Sequence, residues 1–178
     1  MLEHMFEEAR QVRARLAALV DRLDPDAVSG SAAHELWDVL DASERLCAAG
    51  KTLLARRLAA THRPADGSRS AADELARRAG SPAGLAKDAI EMSRRLPGQP
   101  SVERALRRGE LSMPQAVAVS GAAAADPSQA ERLTDLAGRV SLSELREECA
   151  RVRAAADGPG GDRSQVAPGA APAPLRRR

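Results

Sequence analysis

The chain has no tyrosine and no asparagine, and among its 178 residues only one tryptophan (Trp37), one phenylalanine (Phe6) and two lysines. Each shortage excludes something. Stacking on single-stranded nucleic acid needs aromatic faces, and this chain has almost none. Cys47 and Cys149 are lone cysteines far apart in the chain, so neither a disulfide framework nor a zinc knuckle is expected. The expected setting is the cytoplasm, with reduced thiols. The opening Met1-Leu2-Glu3-His4-Met5-Phe6-Glu7-Glu8 lacks the basic start and apolar run of a secretory signal. The longest uncharged stretch before the tail, residues 111–125, is too short to span a bilayer. No membrane partner is expected.

What is abundant is alanine, 38 residues, and arginine, 25 residues. With leucine and glutamate these are good helix formers, while strand-favouring residues are scarce. The expected fold is all-α with a lean, alanine-rich core. The formal net charge of +2 is unevenly spread: −2 over residues 1–60, +3 over 61–110, −1 over 111–156 and +2 over 157–178. So mild an excess does not by itself argue for a nucleic-acid partner.

Apolar residues at Met5, Ala9, Val12, Leu16, Leu19 and Leu23 step by four and three in alternation, a heptad seam on one face of a first helix. Asp24-Pro25-Asp26 stops it. A second helix follows Ser29-Gly30-Ser31 and runs to about His62, with Leu36, Leu40, Cys47, Leu54 and Leu58 as its stripe. Folded together, the two give a long antiparallel hairpin over residues 3–62. In that packing Leu16→Ala costs about 2–5 kcal/mol. The alternative use of the same seam is a homodimeric coiled coil. After the turn-rich residues 62–67, short helices are predicted at 70–79, 82–96, 101–108, 113–124, 127–138 and 142–156. Their starts are marked by Ser70/Asp73, Ser81-Pro82, Ser112/Gln115, Asp126/Gln129 and Ser141/Glu144. The helical domain thus covers 3–156. Residues 157–178, with eight Gly or Pro among 22, read as a disordered tail.

Residues 70–96 carry the pattern of a helix-turn-helix unit. Ala76 is a small residue where two helices cross, and Gly80 suits the turn because it tolerates positive φ. Leu85, Ala86, Ala89, Ile90 and Leu96 form the expected inward face of the second helix. The exposed start of that helix offers Ser81, Ala83, Gly84 and Lys87 to a major groove, and Arg77, Arg78, Arg94 and Arg95 to phosphates. Asp88 and Glu91 share the outer face and oppose tight binding.

The order of short motifs resembles the actinobacterial 13E12 repeat family, also called domain of unknown function 222. The matching pieces are LAALVDRLDPDAVSG at 16–30, ERLCAAGKTLLARRLA at 44–59 and SRSAADELARRAGSPAGLAKD from residue 68. RRLPGQPSVERALRRGELSMPQAVAVSGA at 94–122 and VSLSELREECARVRAAAD at 140–157 complete the set. The resemblance covers about residues 5–157. It implies a helical domain of the kind that, in many relatives, precedes an HNH endonuclease module. That module uses a His general base, a metal-binding His and a positioning Asn. Nothing here matches it: the chain has no Asn, and His4, His34 and His62 lie on or at the ends of the early helices. No Gly-rich phosphate loop or cofactor motif is present. The expectation is therefore a non-catalytic, cofactor-free helical domain that binds double-stranded DNA weakly. The alternative is a helical interaction or dimerisation module.

Overall fold

The computed structural model describes residues 1–63 and 69–158. Among these residues there are eight α-helices, two short 3-10 turns at residues 96–98 and 127–129, and no strand. The helices are α1 (Leu2–Asp21), α2 (Gly30–Thr61), α3 (Ala71–Ala79), α4 (Ala83–Arg95), α5 (Pro100–Arg107), α6 (Met113–Ala125), α7 (Ala130–Ala137) and α8 (Leu142–Ala156). The all-α expectation is met. The expected tail lies, from residue 159 on, outside the described residues, as does most of the expected turn at 62–67.

The chain divides into two compact units between Asp41 and Ala42. The first holds α1 and the beginning of α2. No residue of α1 is buried. The seam residues Leu16, Leu19 and Leu23 remain 36%, 36% and 39% exposed, where burial was expected. Leu36 and Leu40 are half-buried, and Trp37 points to solvent.

The second unit holds the core. Here α6 is central and packs against α4, α5, α7 and α8. Its buried face is Ala116, Val119, Ser120, Ala122 and Ala123, narrow enough for neighbouring helices to approach closely. Larger side chains from around it fill the remaining space, among them Met92, Leu106, Leu111, Leu133 and Leu145, all at most 1% exposed. Side chains then fasten irregular segments. The Gln99 amide donates to the Ser120 carbonyl at 2.9 Å, and the Gln115 amide donates to the Ala137 carbonyl at 2.8 Å. Ser112/Gln115 and Ser141/Glu144 form the two reciprocal capping boxes that their spacing predicts. Asp126 differs: its carboxylate caps Ser128 two residues on, which closes a 3-10 turn before α7 begins.

The stripe on α2 is corrected by the structure. Within this unit its buried residues are Ala49, Thr52 and Ala55, while Cys47, Leu54 and Leu58 are exposed. The reason is steric. Ala55 joins Ala72, Ala76, Ala86 and Ile90 in one cluster, and alanine contacts let backbones come nearer than leucine does. Thr52 donates its hydroxyl to the Met113 sulfur at 3.4 Å. Gly50 is exposed with open space around it.

Candidate nucleic-acid interface

Ser70 starts α3 by accepting from the Asp73 backbone N–H, a cap of the kind that satisfies an orphan donor. The helix ends at Gly80, whose φ of 61° and ψ of 33° are left-handed. The Ser81 N–H then donates to the Ala76 carbonyl at 3.0 Å and the Gly80 N–H to Arg77, a closed C-terminal turn that glycine adopts without a Cβ penalty. Two residues later α4 begins at Ala83, with Pro82 before it and no side-chain cap. Ser81 is thus a turn residue and not the cap that its position before proline suggested. Ala72 and Ala76 of α3 meet Ala86 and Ile90 of α4. Leu85, expected on the inward face, is 59% exposed. The contacts with α3 are made through Ala86 and Ile90, one and five residues further on, and the helix phase turns Leu85 away from them.

The positively charged side chains sit along this unit as follows. Arg77 and Arg78 flank the turn at the end of α3, and both are exposed. Arg78 is engaged by Glu74 at 2.6 Å. Ser81 is half-buried. Lys87 is exposed on the second turn of α4, and Arg94 and Arg95 occupy its last turn. Arg95 pairs with Glu91 at 3.2 Å. At 1.5 Å per residue, Arg94 stands roughly 16 Å along the axis from Ala83. The unit therefore has two separated basic ends. Asp88 and Glu91 are exposed between them, and over residues 71–96 five cations face four carboxylates.

One fastening escaped the sequence reading. The His62 ring, just beyond α2, lies 2.8 Å from Glu74 of α3, with both side chains mostly covered. Glu74's carboxyl is held below the usual carboxylate range, first by that hydrogen bond and then by Arg78. A carboxylate only accepts, so Nδ1 of His62 carries the hydrogen. Twelve residues separate the pair, and no helical or turn spacing signals such a contact.

Among the described residues, no group of three His, Cys, Asp or Glu side chains converges to hold a metal ion. His4 pairs with Glu8 on the exposed face of α1, and His34 is exposed on α2. An open cleft of about 260 Å³ runs between residues 98–104 and 127–131. Its polar side chains are Gln99, Ser101, Arg104, Ser128 and Glu131. No helix among the described residues is long and apolar enough to cross a membrane. No family model, curated protein or solved structure matches this chain.

Proposed function

We propose that the chain is a non-catalytic helical module that touches duplex DNA weakly through α3 and α4. The observation that supports this reading is the Gly80 turn. It starts α4 within three residues and leaves Gly84, which has no side chain, exposed on the first turn, while Ala83 is half-buried against the Ala72, Ala76, Ala86 and Ile90 cluster. A backbone and Lys87 can then approach a groove closely, while Arg77, Arg78, Arg94 and Arg95 serve phosphates on either side. The near-balance of charge over residues 71–96 sets the strength at the non-specific level, micromolar or weaker. The resemblance to the 13E12 repeat family points the same way, with the nuclease chemistry left out. Plasmid DNA incubated with the protein and magnesium, manganese or zinc stays uncut in this reading.

Binding to a short duplex measured across a salt series tests it. Arg94→Ala weakens binding to all sequences alike and flattens the salt slope by about one unit. Lys87→Ala changes preference between sequences instead. A wild-type protein that binds no duplex at low salt overturns the proposal and leaves the helix-turn-helix as packing alone.

A second reading, docking onto another helical surface, is favoured by one observation. All of α1 is without a buried residue while Met5, Phe6, Val12 and Val20 are more than half exposed. A lone helix of this length is marginal in water unless its apolar face is covered.

A further inference from the structure

We infer that α1 is one strand of a parallel two-stranded coiled coil formed with a second copy of this chain. The inference rests on the docking reading above and supplies its partner. Along α1 and its capping turn, Ala9, Leu16 and Leu23 take the a positions and Met5, Val12 and Leu19 the d positions of a heptad. Every leucine, valine and methionine among them is at least 36% exposed. Phe6 and Val20, at 62% and 55% exposed, fall at e and widen the seam. A face that is apolar at a and d over three heptads, and at e in the first and third, is the shape of a self-complementary strand, because a two-fold pair presents the same seam on both sides.

The flanking charges choose the partner's direction. In a parallel pair each g residue meets the e′ residue five positions further along the other strand. Glu8 then faces Arg13 of the second copy, twice per dimer, and Arg15 faces Val20, so no like charges meet. An antiparallel pair using the whole seam also makes two attractive pairs, Glu8 with Arg22, but it brings Arg13 opposite Arg13 and Arg15 opposite Arg15 at its centre. Sliding that pair by one heptad sets Glu8 against Arg15, but it pushes Leu23 out of the seam. Glu8 is exposed and, among the described residues, pairs with the i−4 neighbour His4 at 3.2 Å, a surface pair weak enough to be shared. Three heptads with alanine at one a position give a weak dimer, near micromolar.

Sedimentation equilibrium of the full chain tests this, together with far-UV circular dichroism over the same concentrations. The expected result is a doubling of mass on concentration and a gain of helix signal, as α1 is stabilised by pairing. Val12→Asp is expected to give a monomer whose thermal unfolding, carried by the separate core of the second unit, is unchanged. Glu8→Arg and Arg13→Glu each weaken the dimer by roughly tenfold, through loss of two pairs and gain of repulsion. The double variant restores it. A protein monomeric at every concentration overturns both the dimer and the docking reading for this partner. A dimer that is indifferent to Val12→Asp overturns the α1 interface. A dimer that Arg13→Glu leaves unchanged or tightens overturns the parallel arrangement while docking stands.

Discussion

Nδ1 of His62 sits 2.8 Å from Oε2 of Glu74, while the other carboxylate oxygen, Oε1, receives Arg78 at 2.6 Å. One carboxylate therefore ties the end of α2 to α3 and steadies the last turn of α3 at once. Its folded-state acidity is raised, meaning its pKa is lowered, and an unfolded glutamate titrates near ~4.3. The stabilisation is fully present above that unfolded value and is lost as pH falls through the lower folded one. Glu74→Gln is expected to lower the urea midpoint at neutral pH and to flatten its decline on the acid side. Some acid dependence persists, because Glu148, held low first by its hydrogen bond to Arg132, and Glu144, held low by Ser141, follow the same sign. Urea midpoints from neutral pH down to pH 3 in both proteins check this.

The two thiols should differ sharply. Cys149 is buried, and burial pushes its thiol above the ordinary range. Cys47 is exposed on α2. Alkylation at neutral pH is expected to modify Cys47 quickly and Cys149 only on the timescale of unfolding, since the thiolate is the reactive form. Mass spectrometry of the native protein over time distinguishes one fast site from two.

Leucine truncations separate core from surface. Leu106 is fully buried, and Leu106→Ala is expected to cost about 2–5 kcal/mol. Leu54 is 60% exposed, and its change to alanine should stay within about 0.5 kcal/mol, as surface substitutions usually do. Denaturant unfolding of the two variants under identical conditions gives the comparison.

Gly80 and Gly109 both have positive φ, 61° and 69°, but their surroundings differ. A Cβ at Gly80 meets open space, so Gly80→Ala pays only the left-handed penalty, roughly 1–2 kcal/mol. At Gly109 the added carbon would stand 3.2 Å from Leu46 Cγ and 3.5 Å from the Ala42 carbonyl oxygen. Gly109→Ala should therefore be the more damaging of the pair in thermal melts.

Helix positions were readable in the sequence because they are written in punctuation. Ser112 with Gln115, Ser141 with Glu144, Ser70 with Asp73 and the Gly80 stop each act locally, so their effect needs no knowledge of the fold. Helix phase was harder. Leucine dominates any apolar count, so α2 read as buried through Cys47, Leu54 and Leu58. The packed face instead uses Ala49, Thr52 and Ala55, and alanine is so common here that it marks no side in particular. Leu85 misled for the same reason. In the candidate interface, the Gly80 turn and the positions of Arg77, Arg78, Lys87, Arg94 and Arg95 were legible. The Glu74 and Glu91 ion pairs that engage Arg78 and Arg95 follow from i,i+4 spacing. The His62–Glu74 contact does not, since it exists only once α2 and α3 have met.

The alanine face of α6 has a calorimetric consequence. Each of Ala116, Ala122 and Ala123 is buried but withdraws little hydrocarbon from water compared with a leucine. Unfolding such a core hydrates less apolar area per residue, and the heat-capacity increment scales with that area. The increment for this protein should fall below the usual ~12–15 cal/mol/K per residue. Its free-energy curve against temperature is then shallow, with stability varying little between refrigerator and incubator and with the low-temperature limb displaced far below freezing.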